Sequence, residues 1–329
     1  MNVLELYSGI GGLHLALKKS GIKGDVVCSI EINPSANKVY GYNFPNTFLL
    51  NYNLENLTAE FVNQLKVDTI LMSPPCQPFT RNGLKKDVQD PRTSSFLRIL
   101  SLLPHTTVRK ILIENVKGFE TSEMREKLTE TLMQCKFVFQ EFILSPSQFG
   151  IPNTRHRYYC LAKRIPDSFS FQTGPLMTKL PGIANMDIQF SLSKIVEENA
   201  SECYKISDYI LRKYFSVMDI CGIDSKRSCC FTKGYSRYIH GTGSVYSNKT
   251  EFEVTSVLNN LNKCQMQQDK DLKQIKELNL RFFTPKEVSR LMCFPENYSF
   301  PSEISDKQKY MMLGNSVNVA VVSELMQLL

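Results

Sequence analysis

Over its first 165 residues the chain alternates short apolar runs with segments of helical period, and this alternation restricts its fold more than any other feature of the sequence. Val3-Leu4-Glu5-Leu6-Tyr7 reads as a buried strand and Gly12 to Lys19 as a helix. Val26-Val27-Cys28-Ser29-Ile30 reads as a second strand, followed by a helix opening at Pro34, because a fixed φ and a missing N–H suit proline to a first helical turn. Thr69-Ile70-Leu71-Met72 and Ile111-Leu112-Ile113 are further strands, and helices are expected from Ser94 to Leu103 and from Ser122 to Cys135. Strand and helix in turn at this spacing predict an α/β fold, with right-handed βαβ units and a parallel sheet covered on both faces. Ligands of such sheets bind beyond the carboxyl ends of the strands, so the loops at that edge are the candidates for chemistry.

From about residue 166 the periodicity weakens and Pro, Ser, Asn and Lys become frequent; Asn259 to Leu280 reads as one polar helix, and Val317 to Leu329 recovers an apolar helical pattern. The expected organisation is a first domain over 1–165, a smaller one over 166–283, and a segment 284–329 that returns to the first. A length of 329 residues, 42% hydrophobic and 22% charged, suffices for a core without staples and excludes a disordered chain. No apolar run reaches the roughly 18 residues of a membrane span, and Met1-Asn2-Val3-Leu4-Glu5 does not read as a secretory leader. Ten cysteines without a C-x-x-C pair, beside four histidines, give no zinc-like spacing; the thiols are expected to be reduced and mostly buried, and no metal is expected.

Against that frame a few stretches stand out. Glu5-Leu6-Tyr7-Ser8-Gly9-Ile10-Gly11-Gly12 puts three glycines between the first strand and its helix, where backbone approaches a ligand closely and helix N–H groups stay free. Taken alone it equally describes a structural turn. Glu31, at the end of the second strand, holds the position from which carboxylates bind ribose in nucleotide-binding α/β folds. Ser73-Pro74-Pro75-Cys76-Gln77-Pro78-Phe79 follows the strand ending at Met72; its prolines stiffen the loop and hold Cys76 at the carboxyl edge, a nucleophile's position. Ile113-Glu114-Asn115-Val116 brings a carboxyl to the same edge, and Arg155-His156-Arg157 supplies two guanidiniums that share a face if the chain is extended, with His156 opposite. Singly, Glu114 and the arginines also describe surface ion pairs; together with a thiol they describe a catalytic edge. Lys226 to Thr250 carries Lys226, Arg227, Lys233, Arg237 and Lys249 with no acidic residue, interleaved with Phe231, Tyr235, Tyr238 and Tyr246, a mixture of phosphate-neutralising cations and base-stacking rings.

This combination resembles the C5-cytosine methyltransferase family. The matching blocks are the Gly9 to Gly12 turn, Ser73-Pro74-Pro75-Cys76-Gln77, Glu114-Asn115-Val116, Arg155-His156-Arg157 and Leu313-Gly314-Asn315-Ser316-Val317, in family order over most of the chain. Cys230-Phe231-Thr232-Lys233-Gly234-Tyr235, continuing to Gly241-Thr242-Gly243-Ser244-Val245, looks like the branch that methylates cytosine in the anticodon loop of aspartate tRNA. Glu5 departs from many DNA-directed members, which carry Asp there, and 166–225 matches least well. The resemblance implies a Rossmann-like sheet that binds S-adenosyl-L-methionine, with 166–283 as target-recognition domain. It implies Cys76 as the nucleophile adding to cytosine C6, Glu114 on the N3 and amino edge, and Arg155 and Arg157 neutralising charge near O2. For the cofactor it implies Ile10, Gly11 and Gly12 around the methionine part, Glu31 on the ribose, Ile32, Leu54 and Glu55 flanking adenine, and Ser73 and Ser316 completing a pocket shared with Tyr7, Gly9, Asn315 and Val317. Lys226, Arg227, Lys233, Tyr235, Arg237 and Tyr238 are the expected nucleic-acid contacts.

The partner implied is tRNA, with DNA as a weaker substrate, no membrane, and a monomer of cytoplasm and nucleus. A DNA cytosine-5 methyltransferase, and a nucleic-acid-binding protein with little catalysis, are the competing readings. An amino-directed methyltransferase needs an aromatic residue after the paired prolines, where this chain has Cys76.

Overall fold

The computed structural model describes residues 1–75, 90, 93–184, 186–261 and 269–329. Seven strands, β1 (Asn2–Leu6), β2 (Asp25–Glu31), β3 (Leu49–Asn51), β4 (Thr69–Met72), β5 (Lys110–Val116), β6 (Phe137–Leu144) and β7 (Arg157–Arg164), form one sheet in the order β3-β2-β1-β4-β5-β7-β6. The helices among them are α1 (Gly12–Ser20), α2 (Pro34–Asn43), α3 (Ala59–Gln64), α4 (Ser94–Leu102) and α5 (Glu123–Gln134). Alternate strand residues face opposite ways. Val3, Leu71, Leu112 and Tyr159 join the core of α1 and α2, whereas Leu4, Ile70, Ile111 and Tyr158 join that of α3, α4 and α5.

The sheet is mixed, which corrects the expectation of an all-parallel one. β7 runs antiparallel to both neighbours, with Val116 opposite Arg157 and Glu114 opposite Tyr159. The cause is the link from Ser145 to His156, which contains a single short 3-10 turn, Pro146–Gln148, and no crossover helix. The reversal has a chemical result: β7 begins, rather than ends, at the carboxyl edge of β5, so Arg155 and Arg157 arrive beside Glu114.

Beyond β7 come α6 (Asp208–Tyr214), β8 (Ile220–Cys221), β9 (Val245–Tyr246), α7 (Glu251–Asn260), α8 (Asp269–Glu277) and β10 (Arg281–Phe282), with the three strands in a small sheet ordered β10-β9-β8. The single polar helix expected over 259–280 is instead the end of α7 and all of α8; Leu261 turns extended and buries its side chain in the small core. The chain closes with α9 (Pro285–Leu291), α10 (Asp306–Asn315) and α11 (Val319–Met326), whose Val321, Val322 and Leu325 share a core with Leu13, Ala16 and Leu17 of α1. Asn318 caps α11 through Oδ1 and donates to Leu291 O (3.0 Å), tying α11 to α9.

A carboxyl from β1 lies wholly inside this core. Glu5 is fully buried; its Oε1 accepts the His14 N–H (3.2 Å) and its Oε2 accepts the Tyr40 hydroxyl (2.7 Å). Gly11 gives α1 no side-chain cap, so Glu5 satisfies one of its free first-turn N–H groups from the neighbouring strand. Burial pushes the Glu5 carboxyl up to about 8, in spite of those two bonds. Between its unfolded value near 4.5 and 8 the folded state therefore holds a proton that the unfolded state has lost. The stability contributed by Glu5 is full below that window and falls as pH rises through it, by at most about 1.4 kcal/mol per pH unit. Thermal unfolding of Glu5→Gln, whose amide imitates the protonated acid, is expected to lack this part of the decline between pH 6 and 8.5; equal slopes for variant and parent would show that Glu5 is ionised in the fold.

Candidate active site at the carboxyl edge of the sheet

The turn after β1 is built to leave backbone uncovered. Tyr7, Gly9 and Gly11 take positive φ (52°, 53° and 83°), and Gly9 N–H donates to Glu31 Oε2 (2.9 Å) while Asn33 N–H donates to Oε1 (2.8 Å). Glu31 is thus fixed against the turn by two backbone bonds and keeps lone pairs for hydroxyl donors. A Cβ on Gly9 would meet nothing within 4 Å, and Ser8 Oγ is buried without a hydrogen-bond partner among the described residues. Open backbone, an unpaired hydroxyl and a fixed carboxylate at a strand edge fit a cofactor bearing an amino acid and a ribose.

The other expected cofactor residues surround this turn at several depths. Ile10 and Leu54 are buried, and Ile32 is 60% exposed. Glu55 accepts from Ser94 Oγ, and Tyr7 OH donates to Ser95 Oγ (2.9 Å), so the start of α4 is tied to two of them. Ser316 and Val317 stand so near α1 that a Cβ on Gly12 would lie 2.7 Å from Ser316 Oγ and 2.9 Å from Val317 Cγ2; Asn315 is exposed. Sequence reasoning missed Tyr298, which donates to Ile10 O (2.6 Å), and Phe44, whose ring stacks on His14 at 4.0 Å beneath the turn.

Cys76 lies outside the described residues. Ser73, Pro74 and Pro75 lead toward it from β4, and Pro74 O accepts from Asn115 Nδ2 (3.4 Å), which links this loop to the end of β5. Glu114 is buried, with Arg157 Nε 3.5 Å from its Oε1. Burial raises its pKa, and the nearby Arg157 and Arg155 guanidiniums only partly oppose this, so the group is disposed to hold a proton. Arg157 Nη2 donates to Cys230 Sγ (3.6 Å), and Arg155 Nη1 donates to the same sulfur (3.3 Å). Burial alone would raise the Cys230 thiol; the two guanidiniums outweigh it and hold the thiol below its ordinary value. Desolvation likewise works against charge on Arg157, yet Cys230 and Glu114 beside it raise its pKa.

The two-residue spacing does bring both arginines to one side, but it gives them different surroundings. Arg155 Nη1 also donates to Phe231 O (2.9 Å), and its Nη2 to Gly314 O (3.0 Å) and Ser316 O (2.5 Å). Its four Nη–H donors are occupied by protein, and its buried Nε–H is the one donor left without a partner among the described residues. Cys230 was read as a marker of the recognition segment; its place as shared partner of both guanidiniums was hidden by separations of 75 and 73 residues.

The basic segment divides in the same way. Lys226, Lys233, Arg237 and Tyr238 are exposed, and the Arg237 guanidinium stacks over the Tyr238 ring at 5.1 Å. Tyr235 is buried, its hydroxyl donating to Ser244 O (2.7 Å) and accepting from Phe283 N (2.9 Å), with its ring edge-to-face on Phe231, Phe282 and Tyr310. The expected stacking role of Tyr235 is therefore corrected to a core role, and Phe231 and Tyr246 are buried as well. Arg227, half exposed, pairs with Asp219 (2.6 Å) and Glu251 (3.5 Å), acids that lie outside the acid-free stretch.

Comparison with known proteins matches this arrangement. The family model for C-5 cytosine-specific DNA methylase matches residues 1–329. The chain is similar to a "tRNA (cytosine(38)-C(5))-methyltransferase" of Spodoptera frugiperda, 49% identical over 99% of this chain and 98% of that protein. It is also similar to a "DNA (cytosine-5)-methyltransferase" of Dictyostelium discoideum, 36% identical over 100% of this chain and 94% of that one. In three dimensions it is similar to a crystal structure of a Spodoptera frugiperda DNMT2 mutant, with TM-score 0.89 and 47% identity over 99% of this chain and 98% of that chain. With its glycine turn, its buried glutamate at the end of β5 and its paired arginines, the chain belongs to the C-5 cytosine-specific methyltransferase family.

Proposed function

We propose that this protein transfers a methyl group to C5 of a cytosine in tRNA, in the anticodon loop of aspartate tRNA. The observation that carries the chemistry is the buried Glu114 carboxyl beside Arg157 at the carboxyl edge; the choice of tRNA rests on the likeness to the Spodoptera frugiperda protein. When bound, S-adenosyl-L-methionine supplies an electrophilic methyl; Gly9, Glu31, Ser8 and Ser316 are the residues that would hold it.

Cytosine C5 is a poor nucleophile until its 5,6 double bond is opened. The Cys76 thiolate adds to C6 while the protonated Glu114 gives its proton to N3, leaving an enamine whose electron pair reaches C5. Arg157, held by Glu114 and Cys230, offers a fixed positive charge where the ring gains electron density. Once C5 carries the methyl, a base removes the C5 proton, the double bond re-forms as the Cys76 thiolate leaves, and N3 returns its proton to the Glu114 carboxylate. A loop cytosine is already partly unstacked, so presenting it costs less than extruding one from a duplex. Lys233, Arg237 and Tyr238 supply phosphate contacts and a stacking face beside the pocket. The Dictyostelium discoideum relative favours a second reading, DNA as an additional, weaker substrate.

Labelled cofactor incubated with tRNA and with duplex DNA tests this directly. Label is expected in tRNA, abolished in Cys76→Ala and reduced roughly 100-fold or more in Glu114→Gln, which cannot give up a proton; label in DNA alone would overturn the reading. Replacing Lys233 and Arg237 by Gln is expected to raise KM for tRNA several-fold and to lower the slope of log affinity against log salt by roughly 1.5, from about 0.7 to 0.9 per lost phosphate contact. An unchanged slope in the binding titration would exclude both from phosphate contact.

A further inference from the structure

Arg155 is only 2% exposed and makes more bonds than a charge-neutralising side chain needs. One side of its guanidinium holds the start of the recognition segment, through Cys230 Sγ and Phe231 O; the other holds Gly314 O and Ser316 O at the end of α10. Its backbone N–H donates to Ser145 Oγ (3.1 Å), which anchors the residue to the link before β7. Three parts of the chain therefore meet at one residue, two of them on its side chain and 76 and 161 residues away.

The meeting point is tight. Gly314 lies directly against the Thr232–Lys233 backbone, so that a Cβ there would stand 2.6 Å from Thr232 O and closer still to the Thr232 carbonyl carbon and Lys233 N. Tyr310, one turn earlier on α10, donates to Phe283 O (2.5 Å), and Phe283 N donates in turn to the buried Tyr235 of the recognition segment. On the far side, Ser316 and Val317 press on Gly12 of the cofactor turn. Direct contacts thus run from Gly12 through Ser316 and Arg155 to Cys230 and Phe231.

We infer that Arg155 is a positioning residue: it locks the base-recognition segment to the cofactor-side loop, with Gly314 as the close-contact seat, and acts on the reaction through Cys230, Phe231 and Ser316 without touching the base. The inference deepens the proposed methyl transfer and rests on it for its kinetic arm only.

The test is Arg155→Lys, which keeps the charge but offers three donors from a single nitrogen in place of a planar fork. It cannot span acceptors on both sides, so buried carbonyls lose their partners. Arg157→Lys serves as the comparison, because Arg157 faces Glu114. For Arg155→Lys, calorimetry is expected to give S-adenosyl-L-homocysteine binding weakened about five-fold or more, together with a kcat on tRNA reduced by about ten- to a hundred-fold below the unfolding temperature. Amide hydrogen exchange over 230–244 is expected to speed up as well. Arg157→Lys is expected to lose kcat with cofactor binding intact. A role confined to stability would lower Tm and leave kcat and the cofactor Kd unmoved.

Wild-type cofactor binding and exchange in Arg155→Lys would overturn the inference, and a loss restricted to tRNA turnover would return Arg155 to the base. Should the parent protein fail to methylate tRNA, the proposed function falls while the calorimetric and exchange arms still decide the role of Arg155. If Arg155→Lys does not fold, Gly314→Ala decides: its methyl displaces Thr232–Lys233 with Arg155 intact, so faster exchange over 230–244 and a lower kcat support the lock, and parent-like values for both reject it.

Discussion

Two guanidinium groups held out of water between a carboxyl and a thiol organise this molecule. Desolvating charges is costly unless they are paired and hydrogen-bonded, and Arg155 and Arg157 meet that requirement by drawing in groups from distant parts of the chain. Arg157 joins Glu114 to Cys230, and Arg155 joins Cys230 and Phe231 to Gly314 and Ser316. The stretch that starts at Cys230, the end of α10 beside the Gly9–Gly12 turn and the end of β5 are thereby fixed with respect to one another. The order of the main sheet makes this possible, since only an antiparallel β7 between β5 and β6 starts at the edge where β5 ends.

The same cluster links structure to reactivity. Burial raises the pKa of the Glu114 carboxyl above that of a surface carboxyl, while the Arg157 guanidinium 3.5 Å away favours its ionised form. Cys230, placed between the two guanidiniums, accepts a hydrogen bond from each, and together they outweigh its burial and hold its thiol below the ordinary value. Beneath the cofactor turn Glu5 shows the opposite arrangement. Its partners among the described residues are a tyrosine hydroxyl and a backbone N–H rather than a cation, so burial prevails and its pKa is raised to about 8.

What could be read in the sequence was what is local. The glycine turn, Glu114 at a strand end and the Arg155/Arg157 spacing each lie within a few residues, and the strand and helix alternation over 1–165 follows from periodicity alone. The misreadings share one cause, dependence on distant partners. Tyr235 has the same composition signal as Tyr238, but Phe283, Phe282 and Tyr310, all far along the chain, make it a core residue while Tyr238 stays exposed. Arg227 looked free because its acids, Asp219 and Glu251, fall just outside the acid-free stretch. The direction of β7 turned on the absence of a helix in its link, and the break between α7 and α8 on a leucine that a small core takes in.

The proposed chemistry turns on which sulfur bonds to the base. An anticodon stem-loop carrying 5-fluorocytidine at the target has no C5 proton to lose, so after methyl transfer the thiol cannot be expelled and the adduct persists. Peptide mass spectrometry of the trapped complex is predicted to find the nucleotide on Cys76, with Cys230 unmodified. An adduct on Cys230, or methylated product with no trapped protein, would contradict it.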